Sequence, residues 1–206
     1  MSGTCFIVGA APDGADINFS PQDHDLIIAA DGGFVHLERL GIIPAVIIGD
    51  FDSLGFIPAQ ALVLPFAKEK DETDMMLAIR YGLDKGYQTF EIYGGIGGRI
   101  DHMIANVQAL TFLASHGACG RLVGHNTCAT VICSGSIEFE AEKHGVISIF
   151  ALDKEVQGVT VCGLQYPLTE ATLTNTFPLG VSNAFIGQAS VVSVREGALL
   201  IIWWWD

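Results

Sequence analysis

Short apolar runs, most of them closed by glycine or an acid, recur along the first 125 positions. They fall at 4–8 (TCFIV), 25–30 (DLIIAA), 45–48 (AVII), 61–64 (ALVL), 89–93 (TFEIY) and 121–123 (RLV). Such runs are too short for helices. Because several are apolar at successive positions rather than alternate ones, they read as strands buried on both faces. Between them, 34–40, 74–85 and 100–115 carry a helical period; the last places Ile100, Met103, Ile104, Val107, Leu110, Phe112 and Leu113 near one face. Strands separated by helices predict a parallel sheet covered on both sides.

From Asn126 the pattern changes. Segments 127–133, 137–141, 145–151, 156–162, 189–194 and 198–203 are alternating or β-branched, broken by Gly, Pro and Asn, with no helical period among them. That texture predicts a small all-β sandwich. The expected fold class is therefore α/β: a Rossmann-like parallel-sheet catalytic domain over 1–125, followed by a small β-sandwich domain over 126–206.

Composition narrows the partners. With 206 residues, half of them hydrophobic, the chain has ample core-forming material. Ten basic against 23 acidic residues leave a net charge of −13, which argues against nucleic acid, since phosphate-backbone binding needs clustered Lys and Arg. A cationic small molecule or a metal-complexed anion suits this balance better. The cysteines Cys5, Cys119, Cys128, Cys133 and Cys162 form no C-x-x-C pair and are odd in number, which argues against a disulfide framework or structural zinc. The N-terminus lacks a basic leader and no apolar stretch reaches membrane length, so the expectation is a soluble, cytoplasmic protein with no membrane partner.

Chemistry collects after the strands. Ligands of open parallel sheets bind beyond the carboxyl ends of the strands, and there the chain places Asp31-Gly32-Gly33, Gly49-Asp50-Phe51-Asp52-Ser53, Lys68 to Asp74, and the glycine-rich Gly94 to His102. Asp50 and Asp52 point to one side wherever that chain is extended. At about 5 Å apart and an effective dielectric near 20 they repel by roughly 3 kcal/mol, so they call for a proton, a base or a cation. Asp71 could simply cap the next helix, with Asp74 answering its dipole, and Asp101 invites the same reading. Capping cannot absorb Asp31, Asp50, Asp52, Asp74 and Asp101 together, with only Lys68, Lys70 and Arg99 nearby to answer them. Hard oxygen donors in that number suit Mg2+, and metal, glycine-rich backbone and a few cations are the parts of a phosphoryl-transfer site.

These residues resemble the thiamine pyrophosphokinase family, whose pattern DGG, GDFDS, KD-x-TD and GG-x-GGR-x-DH-x-x-x-N appears in order. It runs through Asp31-Gly32-Gly33, Gly49 to Ser53, Lys70 to Asp74, and Gly94 to His102 with Asn106; Gly180-Val181-Ser182-Asn183 resembles the late SN motif. The resemblance implies transfer of the diphosphate of ATP to the hydroxyl of thiamine with release of AMP, a homodimer, and a cleft that the second subunit helps close. It implies Mg2+ held by Asp50, Asp52 and Asp74, with Asp101 as a further ligand or proton acceptor. Arg99 and Lys70 would lie against phosphates. Asp31, Gly32, Thr73, Gly95, Gly98, His102 and Asn106 would complete the nucleotide site, and Ser182 and Asn183 would contact thiamine or nucleotide.

Two other readings use the same residues: a Mg2+-dependent nucleotide pyrophosphohydrolase, and a non-catalytic nucleotide-binding module. The run Trp203-Trp204-Trp205 cannot present three rings on one strand face, so Trp203 and Trp205 are read as core or dimer contacts.

Overall fold

The computed structural model describes residues 3–11, 17–49, 62–65 and 72–205. The chain divides into two compact units, Met1–His125 and Asn126–Asp206. In the first, the order is β1 (Thr4–Val8), β2 (Leu26–Ala30), α1 (Gly33–Arg39), β3 (Val46–Gly49), β4 (Leu62–Pro65), α2 (Asp74–Asp84), β5 (Thr89–Tyr93), α3 (Ile100–Ser115) and β6 (Cys119–Val123). The strands lie side by side as β6-β5-β1-β2-β3-β4, each pair parallel. Strand order reverses beside β1, which has β2 on one flank and β5 on the other. β1 connects to β2 on one side and β5 to β6 on the other, a switch point of the kind beside which ligands of parallel sheets bind.

Both sheet faces are covered, which is why the strand runs are apolar throughout. One face presents Phe6, Val8, Ala29, Ile47 and Tyr93 to Phe34 and Leu37 of α1, with Ile17 and Phe19 packed alongside. Phe19 stacks on Phe6 at 4.3 Å, so the β1–β2 connection covers this face with an aromatic side chain. The opposite face carries Cys5, Phe90 and Gly120, which are register partners on β1, β5 and β6. Here α2 approaches so closely that a Cβ on Gly82 would lie 2.6 Å from the Phe90 ring and 2.9 Å from Cys5 Sγ. Similarly, α3 sets Leu113 and Leu110 into the space above Gly120.

The buried stripe of α3 differs from the grouping drawn from sequence: it consists of Asn106, Ala109, Leu110 and Leu113. Ile100 and Ile104 are 73% and 59% exposed. Close approach to the sheet favours the small Ala109 and a hydrogen-bonded Asn106 over the bulkier apolar residues, which turn outward.

The second unit holds β7 (Thr127–Cys133), β8 (Ser136–Phe139), β9 (Val146–Ala151), β10 (Val156–Cys162), β11 (Leu168–Leu173), β12 (Gly180–Ala184), β13 (Ser190–Ser193) and β14 (Ala198–Trp204). They form two antiparallel layers, β12-β9-β14-β7 and β11-β10-β13-β8. The layers meet through Phe139 of β8, whose ring stands edge-on to Trp203 of β14 and to Phe185, both at 5.2 Å. Trp203 is thus core. Trp205 lies beyond the strand, under Lys143 Nζ at 5.5 Å. β11 and β12 have no counterpart among the strands expected from sequence. Each is an edge strand with mostly exposed or half-exposed residues, so neither needs an apolar pattern.

Candidate active site

At the carboxyl ends of β1, β2 and β5 lies a cleft of about 270 Å³, built wholly from the first unit. Glycine makes the closure possible. Gly9 N donates to Tyr93 O at 2.8 Å and Ala11 N to Gly94 O at 3.1 Å, which ties the β1 and β5 exits together. Gly94 has φ +62°, and a Cβ there would stand 2.2 Å from the Gly9 carbonyl oxygen. Neither the dihedral nor the space admits a side chain.

Asp31 leaves β2 with φ +51°, a left-handed conformation that Asp tolerates better than most residues. Its N–H is fixed to Ile48 O at 2.8 Å. Gly32 lies behind the wall, packed on Ala10. On the same wall as Asp31, α2 begins at Asp74. The N-cap is Thr73, whose Oγ1 accepts from Met76 N at 3.2 Å, so Asp74 need not cap the helix and its half-buried carboxylate lines the cleft. A Cβ on Gly49, the residue before Asp50, would be 3.9 Å from Asp74 Cγ. The end of β3 therefore reaches the same wall.

The other wall is made of glycine backbone and Arg99. Gly95, Gly97 and Gly98 lead into α3, whose N-cap Arg99 supplies no side-chain cap. The His102 N–H is taken by Asp101 Oδ1 at 3.0 Å, and the helix dipole at such a terminus favours an anion. Asn106, 8% exposed, donates from Nδ2 to Gly95 O at 2.8 Å and holds this loop in shape. Arg99 is bound through two atoms to Asp101: Nε to Oδ1 at 3.1 Å and Nη2 to Oδ2 at 2.5 Å. The guanidinium's hydrogen bonds hold the Asp101 carboxyl at about 2, well below its ordinary 3.8.

Of the residues singled out from sequence, Asp31, Thr73, Asp74, Gly95, Gly98, Arg99, His102 and Asn106 line this one cleft. Asp101 is next to it, with its carboxylate on Arg99. Asp50, Asp52 and Lys70 lie outside the described residues. Among the described residues, no three His, Cys, Asp or Glu side chains are grouped to hold a metal ion. Ser182 and Asn183 belong to the second unit. Ser182 (φ +61°) sits where β12 shifts register against β9, its N–H on Ser148 Oγ at 3.0 Å. Asn183 Oδ1 accepts from Tyr166 N and Ala184 N, both at 2.9 Å, and Nδ2 donates to Tyr166 O at 2.7 Å. Its amide therefore spends most of its capacity on the Tyr166 backbone.

The sequence reading passed over Gly9, Ala10, Ala11 and Met75, which also line the cleft. The signal for the first three was available: a small-residue tripeptide directly after the first strand, where a ligand in a parallel sheet would come closest to the backbone.

Comparison with known proteins places this geometry. The family described as "Thiamin pyrophosphokinase, catalytic domain" matches residues 20–118, and "Thiamin pyrophosphokinase, vitamin B1 binding domain" matches 136–199. The chain is 29% identical over 194 residues to the thiamine pyrophosphokinase of Bacillus subtilis, covering 91% of each chain. The crystal structure of a Bacillus subtilis thiamine pyrophosphokinase superposes with a TM-score of 0.87 at 29% identity, covering 98% of this chain and 99% of that one. That of Geobacillus thermodenitrificans gives 0.84 at 28%, covering 98% of both.

Proposed function

The chain belongs to the thiamine pyrophosphokinase family, and from that premise we propose how its residues divide the transfer of the ATP diphosphate to the hydroxyl of thiamine. The observation that carries the division is the cleft's two-sided charge: Asp31 and Asp74 on one wall, glycine N–H groups, the α3 terminus and Arg99 on the other. A polyphosphate complexed to a divalent cation needs both.

The donor chemistry fits Mg2+. Carboxylate oxygens are its preferred protein ligands, and it keeps part of its shell for water and phosphate. Asp50, Asp52 and Asp74 are assigned to it, the first two by their place in the family pattern. When bound, the ion would offset charge on the phosphate chain. The chain's own groups do the rest: glycine N–H groups and Arg99 hold the transferred diphosphate, with Lys70 assigned beside them. The thiamine hydroxyl must be held near 3–3.5 Å from the β-phosphorus, in line with the leaving AMP. Rigid strand-end loops such as the Gly9–Gly94 contact supply the needed positional precision. Ser182 and Asn183 are assigned to the substrates from the second unit, where Asn183 keeps one Nδ2–H beyond its contacts with Tyr166.

A thiamine cation and a metal-complexed nucleotide both tolerate a host of charge −13. The strand order reversing beside β1 supports a Rossmann-like description of the first unit. A homodimer is supported by the apolar Ile100 and Ile104, exposed on α3 at the cleft's edge. Five free thiols support a reducing cytoplasm. Among the described residues no helix is long and apolar enough to cross a membrane.

Asp74→Asn tests the assignment, since Thr73 already caps α2. Thiamine-dependent AMP formation should fall at least about a hundredfold with the melting temperature nearly unchanged. Retained turnover with lost stability would return Asp74 to a helix-terminus role.

A further inference from the structure

Arg99 and Asp101 form a contact that neither a metal-ligand nor a proton-acceptor role for Asp101 explains. The pair is open to solvent, with side chains 72% and 65% exposed, so it adds little to folding. Yet it is doubly bonded, through Nε–Oδ1 and Nη2–Oδ2. The carboxylate is itself anchored, because Oδ1 also accepts from His102 N at 3.0 Å in the first turn of α3. A fixed carboxylate thus grips one edge of the guanidinium.

That grip determines what remains. A guanidinium has five N–H donors in a rigid fork. Asp101 takes the Nε–H and one Nη2–H, which leaves the second Nη2–H and both Nη1–H groups on the far side. Of these, one Nη1–H and the free Nη2–H run parallel and suit two oxygens of one phosphate, and Arg99 lines the cleft. We propose that Asp101 is a positioning residue for this reaction: it clamps Arg99 by its Nε edge so that the opposite edge is presented to a nucleotide phosphate. This rests on the cleft being the nucleotide site.

The clamp makes a prediction opposite in sign to simple electrostatics. Removing a negative charge beside a polyanion should tighten binding, whereas losing the clamp should weaken it. ATP binding by the full-length protein is measured calorimetrically in EDTA, where a metal-ligand role is silent, and again with Mg2+. Asp101→Asn is expected to weaken metal-free ATP binding roughly three- to tenfold, with an unchanged melting temperature. Asp101→Glu, which keeps the carboxylate, should recover most of the loss. In an Arg99→Gln background, where no clamp is left to lose, Asp101→Asn should cause no further loss of binding.

Tighter or unchanged metal-free binding in Asp101→Asn would overturn the proposal, as would a loss of equal size in the Arg99→Gln background. A loss confined to Mg2+ would make Asp101 a ligand instead and also overturn it. Thiamine takes no part in these titrations. If the wild type fails to form AMP from ATP and thiamine while the binding pattern holds, it is the transferase reading that fails and not the clamp.

Discussion

Single atoms set the cleft's shape. Asn106 is buried beneath the glycine loop and gives one donor to Gly95 O. Truncation to Ala removes that donor, leaves a buried carbonyl without its partner and opens a small void, at a cost of about 1–3 kcal/mol. Asn106→Ala should therefore lower the melting temperature and raise KM for ATP together, as thermal denaturation and initial rates would show. Arg99 and Asp101 behave differently. Because the guanidinium depresses the Asp101 pKa in the folded state, the pair's contribution is present above about pH 3.8 and disappears as pH falls toward about 2. Near neutrality it is constant. NMR titration of the Asp101 carboxyl should give a midpoint near 2, moving up toward 3.8 in Arg99→Gln; a midpoint near 3.8 in the wild type would mean that the pair does not form in solution.

Elements show what the sequence could and could not convey. Strands buried on both faces were legible because their apolar runs have no other use: β1, β5 and the central strands of the sandwich stand where the pattern placed them. The edge strands β11 and β12 were not, since an edge with one face in solvent carries no stripe to read, and β12 also shifts register around Ser182. α3 was located correctly but its buried face only in part: Leu110 and Leu113 belong to the expected stripe, whereas Asn106 and Ala109 are chosen by closeness to the sheet rather than by hydrophobicity. The sequence left Asp71, which lies outside the described residues, as one possible cap of α2. Thr73 does the work offered to Asp71, and this releases Asp74 for the cleft. Two expectations follow. Thr73→Ala should cost about 1 kcal/mol of stability and disturb ATP turnover through the adjacent Asp74. Gly82→Val should cost about 1–3 kcal/mol through collision with Phe90 and Cys5, while KM for ATP stays near its wild-type value. Denaturant unfolding and steady-state kinetics on the two variants separate a fault in packing from a fault at the site.

On the scale of the whole molecule, an acidic chain sets Arg99 and a glycine-rich loop across one cleft from the carboxylates of Asp31 and Asp74. Much of the candidate site was legible in four ordered motifs, since glycines and acids placed directly after buried strands leave little else for them to do. What could not be read was which acid faces the cleft and which is held by an arginine, because that depends on side-chain direction at the start of α3. The central claim is that this crevice transfers diphosphate from ATP to thiamine. The most direct measurement is product stoichiometry with purified protein, ATP and Mg2+, with and without thiamine. AMP and thiamine diphosphate should appear in equal amounts, and neither should form when thiamine is left out. Release of phosphate or diphosphate at the same rate without thiamine would contradict the account.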